Sequence, residues 1–479
     1  MATLWLTSCA SSGPVNTPLT GKSTNAEPHD FSKPELADHP VILAAFSGGG
    51  SRAAALGLSV LQELGRYGYK KNQTDYRLTD DIKAVSSVSG GSVAAAYFVL
   101  KYPGPIDDLR AKFLEQDNMA ALEWEAAFPV TWFRLVFTKY TRVEAMQDLL
   151  AERLFGQANF AAVNRPVKPL LILNATDMAS GQVFTFTSDM FDTLCSDLDA
   201  MPLSAAVAAS ADFPVALSPM TIENFSKNCA AKPAVPGWVD YDLTPASLAR
   251  DLDLDEFRRA QYIAALRHLD SARQPADPAN SPYRDIEYIH LLDGGVADNV
   301  GAHSLIPLFT KNYAAGHLFD AIQKGYAKRL VILTINARGE VPSSLDTDAT
   351  TPGMITSVGS ITRVPIEATT AAVNALVHEA DFAIAEQRLL APPDANIRRL
   401  EVYDIGIDFD QLPDSEKALR GRVKEIPTSW NLTSAELDDI DQAARILLDQ
   451  QPCFQKLLSD MGISATFIDQ HRAAFCTTR

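Results

Sequence analysis

Ser89 lies in Ala84-Val-Ser-Ser-Val-Ser-Gly-Gly-Ser-Val-Ala-Ala-Ala-Tyr97. The apolar start of this run reads as the end of a buried strand, and the small residues after the serine read as the start of a helix. A serine on a sharp strand-to-helix turn presents its hydroxyl as a nucleophile, the group that ester cleavage needs for attack on a carbonyl. The window Ser87-Val-Ser89-Gly90-Gly91 departs from Gly-x-Ser-x-Gly at its first position, where serine is still small enough for a tight turn. Small-residue helix starts give such a pentapeptide by chance, so other residues must support it.

Gly48-Gly-Gly50 is the first support. Attack creates a tetrahedral oxyanion, which needs preorganised N–H donors. Glycines let the substrate approach the backbone, and the helix that follows adds partial positive charge. The amides of Gly48, Gly49 and Gly50 are therefore the expected oxyanion hole. Arg52 is positioned to reinforce it or to bind a lipid phosphate. Gly48-x-Gly50-x-x-Ala53 also resembles a dinucleotide fingerprint, but that motif wants an acid at the end of a second strand about 20 residues on. The corresponding window, Arg66 to Asp75, is polar and reads as strandless, so no nucleotide cofactor is expected.

Asp293-Gly-Gly295 follows the apolar run Ile289-His-Leu-Leu292, and 293 − 89 places it 204 residues after the serine. Asp-Gly alone marks an ordinary turn. At a strand end, however, a partly buried carboxylate can reach a serine on another strand end, take its proton and return it to the leaving alcohol. A Ser-His-Asp arrangement needs instead a histidine after the acid. His303, His317, His378 and His471 are available; His290 lies three residues before the acid, and none has a distinctive setting.

The elements that position these residues are read from apolar runs. Pro40–Phe46, the apolar residues before Ser89 in the strand–turn–helix unit 82–100, Pro169–Thr176, Ile289–Leu292 and Leu330–Ile335 are the expected buried strands. Leu56, Val60 and Leu64 fall on one helical face after the glycine turn, and the small residues after Ser89 start the helix of the unit 82–100. Gln182–Thr187 reads as the return strand of a hairpin, and Leu203–Ala211 as a small-residue helix. The fold class expected is α/β, a three-layer sandwich with a mostly parallel central sheet flanked by helices.

Gly-Gly-Gly-Ser-Arg at 48–52, Ser-Val-Ser-Gly-Gly at 87–91 and Asp-Gly-Gly-Val-Ala-Asp-Asn at 293–299 occur in the order found in patatin-like phospholipases. Asn174-Ala-Thr-Asp177 with Gly181 and Phe184, and Ala208-Ala-Ser-Ala-Asp-Phe-Pro214, also resemble that family. The resemblance covers about residues 40–340. It implies a Ser-Asp dyad without histidine: Ser89 as nucleophile, Asp293 as base, the amides around Gly49 and Gly50 as oxyanion hole, and neither metal nor other cofactor. The implied activity is hydrolysis of phospholipid or lysophospholipid esters through an acyl-enzyme. A Ser-His-Asp esterase, an acyltransferase and a catalytically silent envelope binding protein are the alternatives.

Three parts are expected along the chain. Residues 1–38 read as a polar tail, 39–340 as the catalytic domain with an insertion at 221–285, and 341–479 as a mainly helical extension. Residues 118–138 carry Trp124, Phe128, Trp132, Phe133, Leu135 and Phe137, expected as a helix on the core, with a lipid-facing surface as the alternative.

The 479 residues hold 42 basic and 59 acidic side chains, a net charge of 42 − 59 = −17, which argues against a nucleic-acid partner. No run of about 20 apolar residues marks a membrane span. Leu6-Thr-Ser-Cys9 resembles a bacterial lipobox, followed by a tail suited to a tether. No basic residue precedes Cys9, whereas an export signal starts with one. The expectation is a membrane-surface protein of the cell envelope, outer membrane or periplasm, lipidated on Cys9 behind a leader that starts upstream, with a cytoplasmic protein as the alternative. The remaining cysteines permit two disulfides, and the sequence-local pairing is Cys195–Cys229 and Cys453–Cys476.

Overall fold

The computed structural model describes residues 13–21, 24–25, 29–31, 34–127, 142–212, 219–229, 286–305, 308, 318–340, 384 and 391–463. The strands of the described residues are β1 Pro40–Phe46, β2 Gly68–Lys71, β3 Thr74–Arg77, β4 Ile82–Val88, β5 Leu170–Asp177, β6 Val183–Phe186, β7 Met220–Glu223, β8 Tyr288–Asp293, β9 Arg329–Asn336 and β10 Glu401–Asp408. All but β2 and β3 form one sheet. β10, β9, β1, β4 and β5 are parallel neighbours in that order, and β8, β7 and β6 add antiparallel pairings at the β5 side.

The long apolar strands are buried on both faces, as a parallel sheet covered by helices requires. Successive residues of β1 enter opposite cores: Ile42, Ala44 and Phe46 on one face, Val41, Leu43 and Ala45 on the other. The first face is covered by helix α1 (Gly50–Leu64), helix α2 (Gly90–Lys101), the helix Leu203–Ser210 and the helix Ser434–Gln450; the second by the helix Leu318–Lys324 and short turns. This is the three-layer α/β sandwich expected.

The register of β5 creates the site. A strand has two edges. β6 pairs with residues 173–176 and fills one edge. β4 pairs with residues 170–174 and β8 with residues 175–177, and both overlap β6, so both lie on the other edge. β4 runs parallel to β5 and β8 runs against it. Their ends therefore meet head to head, Val88 opposite Asn174 and Asp293 opposite Ala175. The aspartate reaches the serine from an opposed strand, not from the end of a neighbouring parallel one.

Several expectations need correction. The window 66–75 is not strandless: β2 and β3 form a hairpin through Asn72 and Gln73, at φ 46° and 67°. Its polar residues concealed a small cluster of His39, Tyr69 and Tyr76. The next strand of the main sheet after α1 is β4, which ends at Val88-Ser89 without an acid, so the dinucleotide reading still fails. The tail is not a free tether from residue 13 onward. Asn16 donates to the Ser196 hydroxyl at 3.0 Å and the Glu223 carbonyl at 2.9 Å, the Asn25 amide donates to Asp192, and Leu19 and Phe31 are buried. The expected insertion starts too early, because β7 belongs to the sheet; residues 230–285 lie outside those described.

The boundary at 340 likewise divides nothing. β10 extends the sheet beside β9, with Tyr403, Ile405 and Ile407 in the same core as β1, and the helix Ser434–Gln450 packs against α1. Cys195 and Cys229 are bridged, with Cα atoms 5.8 Å apart, a closure that stabilises by about 4 kcal/mol in chain-entropy terms. Cys453 is also disulfide-bonded. Cys9, Cys476 and the aromatic stretch from residue 128 to 138 lie outside the described residues. Among the described residues no helix is long and apolar enough to cross a membrane.

Candidate active site

The glycine turn joins β1 to α1. Gly49 caps α1 at φ 139°, and Gly50 opens it at φ 60°, conformations that favour glycine. Gly48 needs its missing side chain for another reason: a Cβ there would stand 2.4 Å from Asn299 Oδ1 and 3.3 Å from Ser89 Cβ. One expected oxyanion donor is already engaged, since the Gly48 N–H donates to the Asn299 carbonyl at 2.9 Å. The Ser51 N–H is likewise taken, by the Ser429 carbonyl at 2.8 Å. The amides of Gly49 and Gly50, between these two, have no acceptor among the described residues. The expected trio thus narrows to a pair.

The serine turn joins β4 to α2. Ser89 caps α2 at φ 52°, ψ −127°, a backbone conformation that L side chains rarely adopt. Holding a non-glycine residue there costs on the order of 1–3 kcal/mol. Its N–H donates to Ser210 Oγ at 3.0 Å, and Ser210 Oγ donates to the Asn174 carbonyl at 2.6 Å and meets Ser92 Oγ at 2.8 Å. Asn174 is held in turn: its amide donates to the Ser86 hydroxyl and the Ser87 carbonyl, and its oxygen accepts from the Ser304 hydroxyl. Ser87, in place of a glycine, has no positive φ; its hydroxyl accepts from Ser92 at 3.1 Å. Glycine is not required at that position.

The two turns touch. A Cβ on Gly90 would lie 1.8 Å from the Gly50 carbonyl, and one on Gly91 would lie 2.5 Å from the Ser47 carbonyl. Both helices therefore start at one place, and the positive ends of both face it.

Asp293 completes the arrangement. The Ser89 hydroxyl donates to Asp293 Oδ2 at 2.8 Å, and the Gly295 N–H donates to Oδ1 at 2.7 Å. Gly294 lets the strand end pass close to β5, since a Cβ there would stand 2.3 Å from the Asn174 carbonyl. Burial pushes the Asp293 carboxyl up to about 6, while the two hydrogen bonds hold it back.

The other expected participants have different occupations. Arg52 is buried, and its guanidinium donates to the carbonyl of Ala337 at 2.8 Å, to that of Ile426, and to Thr428 Oγ1 at 3.4 Å. It ties the glycine turn to Ala337 and to residues 426–428. His303 lies against Asp298, whose oxygens accept the N–H groups of Val300, Gly301 and His303, and His290 meets Thr221. Neither histidine bonds Ser89 or Asp293. His317, His378 and His471 lie outside the described residues. Ser210, Asn299 and Asp212 were not singled out as site residues by sequence reasoning. Their signal was their place in the motifs 208–214 and 293–299.

Residues 44–240 match the family model described as Patatin-like phospholipase. The match includes both turns and stops short of Asp293. No curated protein matches the chain. Among solved structures it is similar to human GIVD cytosolic phospholipase A2, with 10% identity over 89% of this chain and 62% of that one at a TM-score of 0.40. The same human protein in complex with methyl gamma-linolenyl fluorophosphonate matches at 11% identity over 89% and 59%, TM-score 0.39. The chain spans about three fifths of the length of these structures.

Proposed function

We propose that the protein is a serine acyl hydrolase that cleaves lipid esters, phospholipids or lysophospholipids, with Ser89 as nucleophile and Asp293 as base. The observation that carries this reading is the buried 2.8 Å hydrogen bond between Ser89 Oγ and Asp293 Oδ2, in a chain that matches the patatin-like phospholipase model over residues 44–240. As Oγ attacks the ester carbonyl, its proton passes to Oδ2. The carbonyl oxygen, now an anion, is met by the amides of Gly49 and Gly50 and by the start of α1. Collapse expels the alcohol, which takes the proton from Asp293 as it leaves. Water then attacks the acyl-enzyme, giving its proton to Asp293; collapse breaks the bond to Ser89 Oγ, which takes that proton back, and the fatty acid departs.

Lipid substrate requires work at a membrane surface. A cell-envelope location, with an anchor at Cys9, is part of the proposal and is supported by the disulfide-bonded Cys195, Cys229 and Cys453, since such bonds persist in oxidising compartments. Mass spectrometry of the mature N-terminus from native cells tests the anchor; an unmodified residue before Cys9 excludes it.

The activity is tested with a fluorophosphonate probe and with vesicles of a defined phospholipid. Wild type is expected to label covalently at Ser89 and to release fatty acid. Asp293→Asn is expected to lose roughly 10²- to 10⁴-fold in turnover. Labelling that survives Ser89→Ala, or full turnover in Asp293→Asn, would overturn the dyad.

A further inference from the structure

The end of the sheet opposite Ser89 holds a cavity of about 160 Å³. It lies where the start of β4 and the turn before β5 meet Tyr102, just past α2, and the N-terminal residues His29 to Phe31. Lys83 lines it, and the strand from Lys83 to Ser89 spans about 20 Å, so the cavity is no part of the dyad. It is close in size to a cavity that holds benzene, and too small for a fatty-acyl chain. Lys168 lines it as well, and the exposed Val167 stands at its rim.

Lys83 is placed there by an irregularity of strand pairing. β1 pairs Ile42 with Ile82 but Leu43 with Ala84, which leaves Lys83 as an extra residue. Ile82 and Val85 accordingly enter one core and Ala84 the other. A bulge between parallel strands is uncommon and re-aims a side chain. The Lys83 ammonium donates to the Asp80 carbonyl at 2.7 Å, and the Tyr102 hydroxyl reaches the same carbonyl at 3.4 Å, so these two heads are neighbours. The Lys168 ammonium donates to the carbonyls of Val99 and Leu100 at 2.8 and 2.6 Å, at the end of α2. An ammonium has three N–H donors. Lys83 has spent one and Lys168 two, which leaves three between them. Among the described residues neither ammonium has a carboxylate partner, in a chain with 59 acidic and 42 basic side chains. The acids that act on Lys83 through space are engaged elsewhere, Asp81 with Tyr69 and His39 and Asp80 with the Arg77 amide. The charge that acts on Lys168 is another cation, Arg165, and the one acid lining the cavity is the exposed Asp30. Burial pulls both ammonium groups below the ordinary lysine range, as expected of cations held from water without a counter-ion.

We propose that this cavity binds a phosphate anion, free or carried on a small alcohol, between Lys83 and Lys168. The proposal is independent of the Ser-Asp reading above. Two cations with three donors left over suit an acceptor-only group of two negative charges better than a carboxylate with one. The volume admits such an ion and excludes the acyl chain of a lipid substrate or of a fatty-acid product. The N-terminal residues form one wall and β4 another, so a bound anion also fastens the N-terminal arm to the strand that ends at Ser89.

The test is calorimetric titration of the full-length protein with inorganic phosphate and, separately, with glycerol 3-phosphate, at constant ionic strength. Saturable binding of one anion per chain is expected, and Lys83→Met and Lys168→Met are each expected to weaken it roughly tenfold or more. Tighter binding of the ester assigns the site to a phosphoester; tighter binding of the ion assigns it to free phosphate. Absence of saturable binding, binding unchanged in both folded variants, or acetate bound as tightly as phosphate overturns the proposal. Should the variants not fold, acetylation of wild-type lysines followed by mass spectrometry decides. Phosphate is expected to protect Lys83 and Lys168, and equal labelling with and without it overturns the site. Ser89→Ala is expected to bind phosphate as wild type does, whatever becomes of its turnover, and a loss of binding there would place the anion at Ser89 instead.

Discussion

The glycine turn after β1 and the serine turn after β4 are two copies of one device that carry different chemistry. Each ends a buried parallel strand, bends at a positive φ and starts a helix at the same point in space. The first uses glycine at the bend and offers backbone N–H groups. The second uses Ser89, which holds a positive φ despite its side chain because the site needs a hydroxyl there. The strain is borne by the supports around it: Ser210 under the Ser89 amide, Asn174 under Ser210 and β4, and Asp293 on the hydroxyl. The glycine turn is held from behind, by Asn299, Ser429 and Arg52. Donors are provided by removing side chains, and a nucleophile by keeping one where it fits badly.

The sharpest way to break this comparison is to make the second turn like the first. Ser89→Ala and Ser89→Gly both remove the hydroxyl, and each is expected to cut turnover by on the order of 10⁴-fold or more. They differ in stability. Glycine relieves the positive φ and alanine does not, so the glycine variant is expected to be the more stable by about 1–2 kcal/mol in denaturant melts. Equal midpoints would mean that Ser89 is not strained.

Next in size is the contact between the turns. Gly90→Ala places a methyl 1.8 Å from the Gly50 carbonyl, so the turns must separate. A displacement of about 1 Å is expected to reduce kcat roughly 10²-fold, with a stability loss of about 1–3 kcal/mol. Near-wild-type kcat in this variant would show that the turns work independently.

What the sequence shows of these two turns, and what it hides, follows from how each part is held. Both turns are visible because their chemistry is local: an apolar run, glycines, then small helical residues. Asp293 is visible as an acid at a strand end, but not its approach from an opposed strand, since the edge of β5 that receives it is a matter of pairing. Gly48 looks like a donor equal to its neighbours until the carbonyl of Asn299, some 250 residues on, accepts its hydrogen bond. Arg52 looks free for phosphate for the same reason: its acceptors lie at Ala337 and Ile426. β10 was missed although Tyr403, Ile405 and Ile407 alternate, because its flanks are helical. The N-terminal residues read as a tether from composition, yet asparagines such as Asn16 and Asn25 suit an arm that satisfies its hydrogen bonds on a folded surface.

A smaller effect comes from pH. Asp293 must be ionised to accept the serine proton, so activity is expected to fall as pH drops through about 6, approaching tenfold per unit below it. Stability runs the other way. A carboxyl raised in the folded protein binds its proton more tightly there than in the unfolded chain. Its contribution to stability is complete below the ordinary value of 3.8 and is lost as pH rises through about 6. Across that window activity should rise while this contribution declines. Removing the Ser89 hydroxyl removes a bond that lowers the Asp293 carboxyl, so in Ser89→Gly the stability change is expected to shift to higher pH. An unshifted curve would mean that the dyad bond contributes nothing.

The smallest expected change separates two roles for Arg52. If its guanidinium bound a lipid phosphate, Arg52→Lys would raise KM for phospholipids and leave neutral esters alone. Its hydrogen bonds to Ala337, Ile426 and Thr428 predict something else. Lysine offers one ammonium where the arginine fork reached three oxygens, and a buried carbonyl is left without its donor. The expected result is a stability loss of about 2 kcal/mol and a fall of a few-fold in kcat that is the same for charged and neutral esters. A KM rise confined to the phospholipid would return Arg52 to the substrate; an equal fall in kcat would make it the counterpart, under the glycine turn, of Ser210 under the serine turn.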